Sequence, residues 1–110
     1  MKILIAEDDH HSGALYQKIF REDEVVIAKD GETFLSLHND SFDYLIVDIR
    51  MPVKNGFEVI LELERMNNQI PIIVVTAIWG SEVKRRLGDK CLVIEKPISK
   101  KYFINQIKAL

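Results

Sequence analysis

A small set of polar side chains stands directly after apolar runs, and their types point to phosphoryl chemistry. Glu7, Asp8 and Asp9 follow the run Lys2–Ala6. Asp48 follows Tyr44–Val47, Thr76 follows Ile72–Val75, and Lys96 stands just beyond Leu92–Ile94. If the runs are parallel strands of one sheet, these residues share the rim where such sheets hold ligands. Glu7, Asp8 and Asp48 would then lie close together. Two like charges about 4 Å apart repel by roughly 4 kcal/mol at an effective dielectric near 20. Lys96 offsets one of the three charges, and a divalent cation would neutralise the remainder. Oxygen-only ligands with retained waters select Mg2+ (or Mn2+) over zinc. A carboxylate beside such an ion can act as a nucleophile and form an acyl phosphate. Asp48 is the best candidate, because it closes the most buried strand. Lys96 can neutralise a phosphoryl oxygen or pair with Asp48, and the Thr76 hydroxyl can donate to the same group. Ala77 is small and leaves access to the site.

The elements that would position these groups follow from periodicity. Apolar runs recur at Lys2–Ala6, Val25–Ala28, Tyr44–Val47, Ile72–Val75 and Leu92–Ile94. Several are continuous rather than alternating, the pattern of strands buried on both faces. Helical spacing appears between them. Leu15, Ile19 and Phe20 share one face, and Phe34, Leu35 and His38 another. Phe57, Ile60, Leu61 and Glu64 form a third, with Leu63 at its margin. Shorter patterns surround Val83 with Leu87, and Phe103 with Ile104 and Ile107. Asp30-Gly31 precedes the second helix, and Asn55 with Glu58 predicts a capping box for the third. Ser81 and Ser99 mark the expected starts of the fourth and fifth helices. Five β-α repeats predict an open α/β sheet over a single domain, residues 1–110.

Composition narrows the classes. Of 110 residues, 47% are apolar, enough for a core, and a net charge of -2 lacks the basic footprint of a nucleic-acid-binding domain. The lone Cys91 forms no internal disulfide, which fits a reducing compartment. The longest apolar stretch, Ile70 to Trp79, is about half a membrane span. A cytoplasmic protein without membrane contact is the expectation.

Taken together, Lys2-Ile-Leu-Ile-Ala-Glu-Asp-Asp9, Asp43-Tyr-Leu-Ile-Val-Asp-Ile-Arg-Met-Pro52 with Gly56, Ile72-Ile-Val-Val-Thr-Ala77 and Lys96-Pro97 form a specific, ordered set. Over essentially its full length the chain resembles the receiver domain of two-component response regulators. The resemblance implies a flavodoxin-like three-layer sandwich with strand order 2-1-3-4-5 and five helices. It implies that Asp48 accepts phosphoryl from a histidine kinase or a phosphotransfer protein. Asp8, Asp48 and the backbone carbonyl of Arg50 would ligate Mg2+, with Glu7 acting through water. Thr76 would be the switch hydroxyl, and Lys96-Pro97 would be cis. Phosphorylation would shift the surface of helix four, strand five and helix five toward a downstream effector. Pairing of two copies through that surface is common among relatives.

The chain also departs from the family. Val93 replaces the aromatic residue that usually reports activation, and the stretch from Thr76 to Lys96 is shorter than usual. Trp79 either packs against the short fourth helix or takes over the readout. Arg50 and Ile78 occupy positions that tune phosphoryl lifetime in the family; Arg50 either screens the site from water or is an exposed arginine. His10 and His11 open the first helix near the acids and read best as solvated residues. The basic run Lys84-Arg85-Arg86 is either a solvated face or a contact for an acidic partner. Two further readings stand beside the switch. One is a phosphohydrolase of the haloacid-dehalogenase type. The other is a degenerate receiver that binds partners without phosphorylation.

Overall fold

The computed structural model describes residues 1–77 and 80–108. Strands and helices alternate as β1 (Lys2–Ala6), α1 (His10–Ile19), β2 (Glu24–Ala28), α2 (Gly31–Leu37), β3 (Tyr44–Asp48), α3 (Gly56–Arg65), β4 (Ile72–Thr76), α4 (Gly80–Leu87), β5 (Leu92–Glu95) and α5 (Lys100–Lys108), with a 3-10 turn at Gly88–Lys90. The strands make one sheet in the order β2-β1-β3-β4-β5, and every neighbouring pair is parallel. This is the flavodoxin-like arrangement expected from the sequence.

Each apolar run serves both faces of the sheet, which explains its lack of alternation. Ile3, Ile5, Ile46, Ile73, Val75 and Ile94 meet Tyr16, Ile19 and Phe20 of α1 and Phe103 and Ile107 of α5. On the other face, Leu4, Ala6, Leu45 and Val47 meet Phe34 of α2 and Val59 and Leu63 of α3. Val74 packs with Ile60, Val83 and Leu87, which attaches α4. The first face holds an aromatic cluster. The Phe103 ring lies edge-on to Tyr16 at 6.1 Å and to Phe20 at 5.6 Å between centroids, a favoured geometry for ring quadrupoles.

The caps place the loops that carry the rim. Asp9 accepts a hydrogen bond from the Ser12 amide at 2.9 Å and starts α1. That bond holds its carboxyl below the ordinary range, so Asp9 serves the helix rather than the rim. Asp30 caps α2 through Thr33. Asn55 and Glu58 form the expected capping box. Ser99 accepts from the Tyr102 amide and precedes α5. Ser81 does not start its helix, because α4 already begins at Gly80.

The face expected for α3 is corrected. Val59, Ile60 and Leu63 are buried, while Leu61 is 47% exposed and Glu64 is exposed. Val59 and Leu63 are one turn apart, and they reach the sheet where Leu61, two positions away, cannot. Tyr16 was missed on α1, although it stands three and four residues before Ile19 and Phe20. The strands at β3, β4 and β5 each run one residue further than the apolar runs suggested.

Truncating Phe103 should leave a cavity between both ring partners. Phe103→Ala is expected to lose about 3–5 kcal/mol in urea denaturation. Tyr102→Ala, on the exposed side of the same helix, should stay within about 0.5 kcal/mol of wild type.

Candidate functional site

Strand parity decides which polar groups meet. Successive side chains alternate faces. Glu7 continues the series Ile3 and Ile5, since its amide still bonds to Ala28 O at 2.9 Å. Asp48 continues Ile46, and Lys96 continues Ile94. All three therefore emerge on the face covered by α1 and α5, at the ends of β1, β3 and β5. The Lys96 ammonium donates to Asp48 Oδ2 at 2.8 Å and to Glu7 Oε1 at 3.2 Å. Thr76 follows Val74 and belongs to the opposite face, buried at the end of β4.

The electrostatics are unbalanced. Glu7 is 1% and Asp48 6% exposed, and one ammonium serves both carboxylates. Burial, and then the Asp48 charge, push the Glu7 carboxyl above its ordinary value, while the Asp9 amide and Lys96 pull it partly back. For Lys96, burial opposes the charged form. The hydrogen bond and charge of Asp48, followed by those of Glu7, outweigh it and hold the ammonium above its usual range. Tyr16 lies beneath this cluster. Burial, with help from Glu7 and Asp48, raises its phenol well above the ordinary value.

The loop after Asp48 is shaped to approach it. The Arg50 amide donates to Asp48 Oδ1 at 2.9 Å, and the Gly56 amide closes the loop onto Ile49 O at 2.8 Å. A Cβ at Gly56 would meet Asp48 O and Ile49 Cα at 2.7 Å, so only glycine permits this closure. Val53 takes a φ of 68° and the Lys54 amide bonds to Pro52 O at 2.8 Å. That is a three-residue turn with a strained centre for a β-branched residue.

Asp8 is exposed. It lines a shallow groove with Ile49, Arg50, Met51, Pro52, Asn55 and Arg86. Among the described residues, no three acidic, His or Cys side chains are gathered to cage a metal ion. The donors beside Asp48 are nevertheless oxygen-only, and the buried pair carries more negative charge than Lys96 offsets. Mg2+ keeps several waters and binds through one or two carboxylates together with phosphate, not in an all-protein cage. The residues therefore fit that ion. A cavity of about 450 Å3 adjoins, lined by Ile49, Arg50, Phe57, Thr76, Glu82, Val83 and Arg86. Arg86 lies over the Phe57 ring at 3.7 Å.

The profile of the response regulator receiver domain matches residues 3–108. The chain belongs to the response regulator receiver domain family. It is 35% identical to the transcriptional regulatory protein CpxR of Escherichia coli (strain K12) and 36% identical to that of Klebsiella pneumoniae, covering 99% of this chain and 48% of each relative. The chain thus spans about half the length of these relatives. The receiver domain of HemR from Leptospira biflexa superposes with a TM-score of 0.87 at 25% identity, covering 98% of this chain and 91% of that one. Chemotaxis protein CheY4 of Vibrio cholerae gives 0.87 at 23% identity over 98% of this chain and 96% of that one, a likeness of fold alone.

Response regulators work with histidine kinases and effector domains in two-component signalling, and receiver domains as a class bind Mg2+ at their phosphorylation site. Family membership leaves the phosphohydrolase reading without support. The Lys96-Pro97 bond of this receiver is cis. Val93 is partly buried against the cluster that holds Val83 and Leu87. Arg50 is exposed and lines both grooves. His10 and His11 are exposed. Cys91 precedes β5, and burial pushes its thiol up to about 11. Trp79 and Ile78 lie outside the described residues. No helix among the described residues is long and apolar enough to cross a membrane. Sequence reasoning missed Arg86, Gly80 and Glu95 as groups near the site, because no local pattern marks a contact between distant elements.

The raised Glu7 carboxyl makes folding pH-dependent. Above 4.5, its ordinary value, the unfolded chain releases a proton that the folded chain still holds. Stability is therefore fullest below that value and falls as pH rises through the raised folded value. Lys96 contributes a constant amount in this window, since its loss begins only above 10.5. Urea midpoints between about pH 4 and pH 7 should decline, and the decline should shrink in Glu7→Gln. An equal decline in both proteins would mean that Glu7 is not the group responsible.

Proposed function

We propose that this chain is a phosphoacceptor switch in which Asp48 takes a phosphoryl group from a histidine kinase or phosphotransfer protein. The observation that supports it most is the Lys96 ammonium bonded to Asp48 at 2.8 Å and to Glu7 at 3.2 Å at the end of the central strands. A carboxylate so placed is held rigidly, with a positive charge ready beside it.

The step is a transfer between two nucleophiles. A carboxylate oxygen of Asp48 attacks phosphorus as the bond to the donor imidazole nitrogen breaks, and the electron pair stays on that nitrogen. The product is an acyl phosphate on Asp48. Lys96 passes from the carboxylate to a phosphoryl oxygen, and the Thr76 hydroxyl donates to another. Ala77, exposed beside Thr76, leaves the approach open. Asp8, Asp48 and the Arg50 carbonyl would hold Mg2+, with Glu7 acting through water. When bound, the ion offsets charge on the phosphoryl oxygens. Arg50, at the mouth of the groove, governs how fast water removes the group. The chain catalyses only its own modification.

The new charge-assisted bonds bias a two-state equilibrium of the surface formed by α4, β5 and α5. That surface passes the signal to an effector domain or protein, and two copies can pair through it. The domain acts in the cytoplasm, without itself binding nucleic acid or membrane.

Incubation with acetyl phosphate and Mg2+, followed by intact-mass measurement, tests the reading. An adduct of about 80 Da, one phosphoryl group, is expected and should vanish in Asp48→Ala. Arg50→Ala should keep the adduct and change only its rate of loss. An unmodified wild-type chain would favour the degenerate receiver, and an adduct retained in Asp48→Ala would place the acceptor elsewhere.

A further inference from the structure

Val93 of β5 packs against the cluster that holds Val83 and Leu87 of α4. Two positions beyond Val93, and on the same face by strand parity, stands Glu95. Its Oε1 accepts a hydrogen bond from the amide of Gly80, the first residue of α4, at 2.7 Å. Glu95 pairs in register with Thr76, and the Lys96 amide bonds to Thr76 O at 2.7 Å. One short stretch of β5 thus touches the Thr76 backbone, the acidic pair and the start of α4.

The glycine fits the same contact. A Cβ at position 80 would lie 2.4 Å from both Glu95 Cγ and Glu95 Oε1. No side chain fits there while the carboxylate stays, so the residue type at the helix start matches the residue type on the strand. The amide is also one that the helix itself leaves without a partner, and it lies at the positive end of the α4 dipole. A carboxylate suits that place better than a neutral acceptor would.

We infer that Glu95 is a positioning residue, a latch that holds the start of α4 against β5 in the resting form and lets go when the site is charged. This rests on the proposed phosphorylation of Asp48. A dianionic group there draws the Thr76 hydroxyl toward itself, and Thr76 pairs in register with Glu95. Movement of Thr76 shifts Glu95 away from the Gly80 amide, and the new charge repels its carboxylate. The latch and the phosphoryl group therefore oppose each other, and linkage makes the opposition mutual. Removing the latch must tighten binding of the charged group.

Beryllofluoride with Mg2+ serves as the phosphoryl probe on the whole chain. Wild type should bind it and show faster hydrogen exchange at the Gly80 amide on binding. Glu95→Ala should bind it roughly 2- to 10-fold more tightly, the span of one net hydrogen bond. Glu95→Gln, which keeps an acceptor without the charge, should fall between them. Gly80→Ala attacks the same contact from the other element and should match Glu95→Ala. The double variant should add nothing further, as expected of two changes that remove one interaction. Thermal melts of each variant show whether the fold is intact, and Glu95→Gln carries the comparison if either alanine variant unfolds. Equal beryllofluoride affinity in wild type, Glu95→Ala and Glu95→Gln would overturn the latch. So would additive effects of the two alanine substitutions, or unchanged Gly80 exchange in liganded wild type. A wild-type chain that binds no beryllofluoride at all would instead count against phosphorylation of Asp48, and the latch would fall with it.

Discussion

One ammonium shared by two buried carboxylates is the constraint around which this domain is organised. Lys96 directly follows β5, Asp48 ends β3 and Glu7 directly follows β1. In the sheet, β3 and β4 separate β1 from β5. The three charged groups can meet only if all the intervening pairings hold their register. A slip of one residue in any strand would turn its charged end to the opposite face. The continuous apolar runs therefore do more than fill the core. They fix which way the last side chain of each strand points.

That arrangement is costly at rest. Burial penalises both carboxylates, and Lys96 offsets only part of the negative charge. The buried Tyr16 and the aromatic cluster behind it keep water from relieving the strain on that side. The open side faces the groove of Asp8 and Arg50. An incoming cation or phosphoryl group is thus met by charge that the fold has already desolvated, a form of electrostatic preorganisation. Glycine at position 56 and the tight turn at Val53 bring the following loop against Asp48 without covering it.

Much of this was legible in the sequence, for identifiable reasons. The strand runs followed from continuous Ile, Val and Leu, their order in the sheet from the resemblance to receiver domains, and the caps at Asp30, Asn55 and Ser99 from short side chains before helical patterns. Pairing of Lys96 with Asp48 was foreseen from the rim rule. What failed was finer. Leu61 was placed inside because leucine is apolar, whereas the sheet meets α3 along Val59 and Leu63. Glu95 attracted no notice, since nothing in the sequence near either residue says that its carboxylate reaches Gly80.

Mg2+ titration of the wild type and of Lys96→Met, followed by NMR of the rim residues, tests the central claim most directly. If Lys96 and Mg2+ neutralise the same buried charge, removing the ammonium must strengthen the ion's binding several-fold. Equal or weaker Mg2+ affinity in Lys96→Met would contradict the account, because the carboxylates would then not share their charge through that lysine.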